Sequence, residues 1–142
     1  MIRQDVYVKD WNWTVHAFFA VNEYWVEPIM DLLWEVGCDS ESAKRAFDNL
    51  TSGKLNNGLC YSNYRRQESV MVIAKTSCAA EFFNSLVHEL THLQSHVCDV
   101  YHLDPKCEDI AYFTGDLSMQ MFPKINHLLC DCCRTEYNED YE

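Results

Sequence analysis

The sequence predicts an α+β domain in which a small antiparallel sheet packs with one long helix and a second helix that follows it. Three observations lead there. Apolar and polar residues alternate at period two near the start of the chain. Stretches of helical and strand periodicity then follow in mixed order rather than as a regular strand–helix repeat. The longest helical stretch comes directly after a run rich in β-branched residues, "VMVIA" at 70–74, and carries "SLVHELTHLQSH" at 85–96.

The elements follow in order. "DVYV" and "WNWTVHAFFAV" read as strands, because Trp11, Trp13, Val15, Ala17 and Phe19 alternate with Asn12, Thr14 and His16. A helix over 27–36 is stopped by Gly37, with Trp25, Ile29, Leu32 and Leu33 at core-facing spacing. A second helix starts after Asp39 or Ser40 and runs to about residue 50, ended by "TSG". "NNG" at 56–58 is a turn signal, "LCYS" a short strand, "NYRRQES" a hairpin connection with Arg65 and Arg66 at a solvated tip, and "VMVIA" a strand. Ser77 caps a helix that continues through His96 or beyond, with Glu81 in its first turn. Asp104-Pro105 marks the next helix start, leading into "KCEDIAYFTGDLSMQMF". One domain over 1–134 is expected, with an acidic, disordered tail over 135–142.

Composition narrows the function. The chain has 142 residues, enough for one core and too few for two ordinary domains. Its net charge is −11, which opposes binding to a phosphate backbone, so no nucleic-acid partner is expected. The start, "MIRQDVYVKD", lacks the pattern of a signal peptide, and no apolar run is long enough to span a membrane. A cytoplasmic protein with no membrane partner is therefore expected, and its eight cysteines read mostly as reduced thiols. "CDCCR" does not have zinc-ribbon spacing, because no second cysteine pair lies at the required distance.

The motif helix carries the chemistry. His88 and His92 are one turn apart and off the apolar stripe of Leu86, Leu90, Leu93 and Val97. Two imidazoles at this spacing converge on one zinc ion, and Glu89 then reaches a water on that ion as a general base. His96 lies about 12 Å along the axis from His88, too far to join them without a break in the helix. It reads as a supporting group, an interhelical hydrogen bonder or an exposed side chain. For a third ligand the choice falls on Glu108, near the start of the following helix. Ala111 and Gly115 recur on its side and would let the two helices pack closely. Asp109 points about 100° away and reads as a charge favouring the helix dipole.

His88-Glu89-Leu90-Thr91-His92 followed by Glu108 resembles the zincin metallopeptidases of the gluzincin type. The order of elements over about 27–122 is similar to small members such as the ImmA/IrrE family. The chain also looks like short peptidase-like proteins of phages and prophages. The resemblance implies Zn2+ held by His88, His92 and Glu108, with Glu89 as general base in peptide-bond hydrolysis. Ser95 and Cys98 stand where metzincins carry glycine and histidine. Tyr112 stands where many gluzincins have an aspartate, with Asp116 a turn later, and Thr91 replaces a glycine common in ImmA-like motifs. Tyr112 and His96 are the candidates for stabilising an oxyanion.

A peptide or protein is the expected substrate or partner. "VMVIA" suits pairing with an extended peptide, and its apolar character equally suits burial. Two other readings stand beside the enzyme. One is a non-catalytic phage assembly or regulatory component that keeps the metal site. The other is a structural zinc with no open position.

Overall fold

The computed structural model describes residues 1–22, 25–52 and 58–136. Its elements are β1 (Ile2–Val8), a 3-10 turn (Lys9–Trp11), β2 (Trp13–Val21), α1 (Val26–Glu35), α2 (Ser40–Leu50), β3 (Leu59–Asn63), β4 (Glu68–Ala74), α3 (Ala79–Tyr101), α4 (Glu108–Ile125), a second 3-10 turn (Asn126–Leu129) and α5 (Asp131–Glu136). The expected "NNG" turn falls largely, and the acidic tail mostly, outside the described residues. α5 itself runs two residues past the expected domain boundary. No described helix is long and apolar enough to cross a membrane.

The fold class is α+β. Its four strands lie in the order β1-β2-β4-β3, and the sheet is mixed rather than wholly antiparallel. β2 leads into α1 and α2, the chain returns at the far edge as β3, and a tight hairpin sends β4 back between β3 and β2. β4 is thus antiparallel to β3 and parallel to β2. This corrects the expectation that "VMVIA" offers an edge to a peptide: both edges of β4 are already paired, and the sheet edges are β1 and β3.

Alternation in β2 gives helices to both faces of the sheet. Trp13, Val15, Ala17 and Phe19 point to one side and meet α3 and α4. Phe18, with Val70 and Val72 of β4, points to the other and meets Ile29, Leu32 and Leu33 of α1 and Ala43 and Ala46 of α2. The alternation breaks at Ala20, whose φ of 56° makes a bulge that turns Val21 onto the α1–α2 side. The expected strand over 11–21 begins only at Trp13, because Trp11 closes the 3-10 turn and Asn12 adopts the left-handed region, which asparagine tolerates.

Helix ends follow local chemistry, with two departures. Gly37 has φ +82° after α1 and lets the Cys38 N–H bond to the Leu33 carbonyl at 2.9 Å. Asp39 caps α2 by accepting from the Ser42 N–H at 2.9 Å. α3 starts later than expected. The Ser77 hydroxyl donates to Glu81 Oε2 at 2.8 Å, and the helix-start N–H of Ala79 is capped by Asp131 Oδ1, also at 2.8 Å, from the far end of the chain. α4 starts at Glu108 rather than after Asp104-Pro105. There Asp104 instead closes a turn, its side chain accepting from Lys106 N–H and its carbonyl from Cys107 N–H, each at 2.9 Å.

Candidate functional site

α3 lies on the sheet through Phe82, Leu86, Leu90, Leu93 and Val97. At 100° per residue, His88 and His92 point away from that stripe, and both are exposed. The two rings meet edge to face with centroids 4.8 Å apart, and their Nε2 atoms are 3.2 Å apart. Without a metal, one Nε2–H donates to the other ring's nitrogen. Two nitrogens bound to one tetrahedral zinc at about 2.05 Å stand about 3.3 Å apart, so the pair has the spacing of two corners of such a site. A groove of about 400 Å³ lined by Ala80, Glu81, Asn84 and Ser85 occupies the turns before His88.

Glu89 turns the other way, to the flank of α3 that faces β3, and is only 5 % exposed. It packs against the backbone of Gly58, where a Cβ would stand 2.8 Å from Glu89 Oε1 and 2.6 Å from the Val72 carbonyl oxygen. Burial raises the pKa of the Glu89 carboxyl, and neighbouring His88 partly opposes the shift. The nearby Cys60 thiol is pushed up by its own burial and then by the Glu89 charge.

His96 is bound to the sheet rather than to a second helix. Its Nδ1 is 2.7 Å from Ser62 Oγ, which is 2.7 Å from Ser69 Oγ, and Ser69 accepts from the Trp13 indole N–H at 2.8 Å. One consistent direction runs Trp13 to Ser69 to Ser62 to His96, leaving the imidazole neutral with its proton on Nε2. Burial, and then the His92 charge, lower the His96 pKa, while Asp99 opposes the shift. Tyr64 closes this flank, donating to Asp99 Oδ2 at 2.8 Å with its ring 5.7 Å from that of His96.

Glu108 does not join the histidines. The chain leaves the end of α4 and returns to the start of α3, where Asp131 caps Ala79, so α4 runs antiparallel to α3. The start of α4 therefore lies beside the end of α3, and His92 is nine residues back from Tyr101, about 13 Å along the axis. α4 also presents the wrong face. Ile110, Phe113, Leu117, Met121 and Ile125 face the core, which puts Glu108 on the opposite, exposed side. Ala111 is exposed, and a Cβ on Gly115 would meet nothing within 4 Å, so the small residues expected to bring the helices together face solvent. Asp109 and Tyr112 are exposed as well. Among the described residues, no group of three or more His, Cys, Asp or Glu side chains is arranged to hold a metal. The histidine pair thus fits two positions of a zinc site, and the three-ligand set with Glu108 is not assembled.

Gly58, Ser62, Ser69 and Tyr64 belong to this flank of α3 and were not singled out from sequence. The only signal was a cross-strand polar pair, Ser62 opposite Ser69, beside an otherwise apolar strand. Compared with models of known families, with curated proteins and with solved structures, the chain matches none.

Proposed function

We propose that the protein is a zinc-dependent, metallopeptidase-like hydrolase in which His88 and His92 hold the metal and Glu89 is the general base. The observation that carries this reading is the 3.2 Å separation of the two Nε2 atoms, with Glu89 next to His88 in the chain and buried on the neighbouring flank of α3. His88 and His92 would hold the zinc, which would supply Lewis-acid chemistry there. Glu89 takes a proton and returns it to the leaving amine. Burial raises the pKa of that carboxyl, which makes it a stronger proton acceptor than an exposed glutamate. Among the described strands β3 is an edge strand, and its outer side, on the Glu89 side of α3, is where an extended peptide would pair. In this reading the protein acts in the cytoplasm, in a phage or prophage setting, on a peptide or protein substrate.

The position of Glu108 favours a second reading, a non-catalytic component of the same fold that keeps a two-histidine metal site and binds a protein partner. A peptide library incubated with zinc-loaded protein separates the two. The enzyme reading expects cleavage that is lost on chelation and in Glu89→Gln. Zinc-loaded wild type that cleaves nothing would leave the binding component.

A further inference from the structure

The sequence "CDCC" at 130–133 lies away from the histidine pair. Cys130 precedes α5 in extended geometry, in the N-cap position, and Cys133 is the third residue of the helix. A side chain at the N-cap reaches the first-turn N–H groups, and one at the third position reaches back toward the cap. The Cys130 sulfur accordingly accepts from the Cys133 N–H, the Cys133 thiol and the Cys132 N–H. These contacts lower the pKa of the Cys130 thiol, whereas burial raises those of Cys38, Cys60 and Cys98. Cys130, Cys132 and Cys133 are all exposed, and none of the eight cysteines is disulfide-bonded.

Spacing selects the pair. Cys130 and Cys133 hold the N-cap and third positions of α5, whose side chains reach toward each other across the first turn, as closing a disulfide requires. Cys132 and Cys133 are adjacent, with Cα atoms only about 3.8 Å apart, and Cys132 points to the far side of the helix from Cys130. The platform is held in place. Arg134 N–H bonds the Cys130 carbonyl at 3.0 Å, Asp131 caps α3 through Ala79, and the Arg134 guanidinium bonds the carbonyls of Thr76 and Leu128.

We infer that Cys130 and Cys133 form a thiol–disulfide exchange site, with Cys130 as the attacking sulfur, Cys133 as the resolving one and a low-molecular-weight disulfide as co-substrate. The Cys130 thiolate attacks one sulfur of the disulfide RSSR, forming a Cys130–SR bond and releasing RS⁻ as the S–S bond breaks. The Cys133 thiolate then attacks the Cys130 sulfur, forming the intrachain disulfide and releasing the second RS⁻. Two electrons pass from the dithiol to RSSR, and the two thiol protons go to solvent or to the released thiolates.

The test uses the full-length protein, reduced, desalted, exposed to glutathione disulfide, acid-quenched, alkylated and mapped by mass spectrometry. Wild type is expected to lose the mass of two hydrogen atoms through a Cys130–Cys133 bond, and Cys132→Ser to behave the same way. Cys133→Ser is expected to stop with glutathione on Cys130, and Cys130→Ser to form neither that adduct nor the intrachain bond. Circular dichroism on each variant confirms the fold. Equal glutathionylation of Cys130 and Cys132, a dominant bond to Cys132, or a Cys133→Ser variant that traps nothing on Cys130 would each overturn the assignment.

Discussion

Gly58 and Glu89 touch across the seam between β3 and α3, where a Cβ on residue 58 would stand 2.8 Å from the Glu89 carboxylate and 2.6 Å from the Val72 carbonyl oxygen. The second neighbour is backbone and cannot rotate away. Gly58→Ala must therefore push the start of β3 off the sheet or displace Glu89, at a cost of about 1–3 kcal/mol. Chemical denaturation measures it. A variant as stable as wild type would mean that the start of β3 yields freely.

Glu89→Gln probes the buried carboxyl itself. A raised folded-state pKa favours the protonated acid, so the stability it contributes is present below the ordinary glutamate value and is lost as pH rises through the raised one. Glutamine removes that loss. The variant should melt above wild type at pH 7.5 and level with it near pH 4. It should also keep bound zinc while losing any hydrolysis by about 10²–10⁴-fold. A variant that melts lower at both pH values would show that the carboxylate is stabilised where it lies.

His96 gives a pH dependence of the opposite sense. Its folded pKa is lowered by burial and by His92, so below the ordinary histidine value of about 6.5 the unfolded chain takes up more protons. Stability should fall as pH drops through 6.5 toward the lower folded value. His127, lowered by burial and then by Arg134, adds in the same direction. Melting temperatures from pH 8 to 5 should fall less steeply in His96→Gln than in wild type. Parallel curves would remove His96 as a source of the slope.

Element type was largely legible in the sequence because local chemistry decides it: Gly37 in the left-handed region, Asp39 as a cap and the alternation of Trp13 to Phe19 each act over a few residues. What was not legible depends on partners far along the chain. Asp131 caps α3 from 52 residues away, and β4 becomes a central strand only because β3 and β2 flank it. The convergence of His88 and His92 is a property of one helix, so four-residue spacing was enough to expect it. Joining Glu108 to them required a relation between two helices, and the apolar stripe of α4 sets it the other way. The stripe Ile110, Phe113, Leu117, Met121 was readable at the outset and puts Glu108 opposite the core.

If His88 and His92 share one metal ion without Glu108, zinc content per chain after matched dialysis against a mild chelator will show it. The measurement is made in a background with Cys130, Cys132 and Cys133 replaced by serine, so that exposed thiols do not bind the metal. Zinc is expected to stay in this background and in Glu108→Ala and His96→Ala, and to be lost in both His88→Ala and His92→Ala, with circular dichroism showing each variant folded. A site emptied by Glu108→Ala, or zinc retained after loss of either His88 or His92, would contradict this assignment.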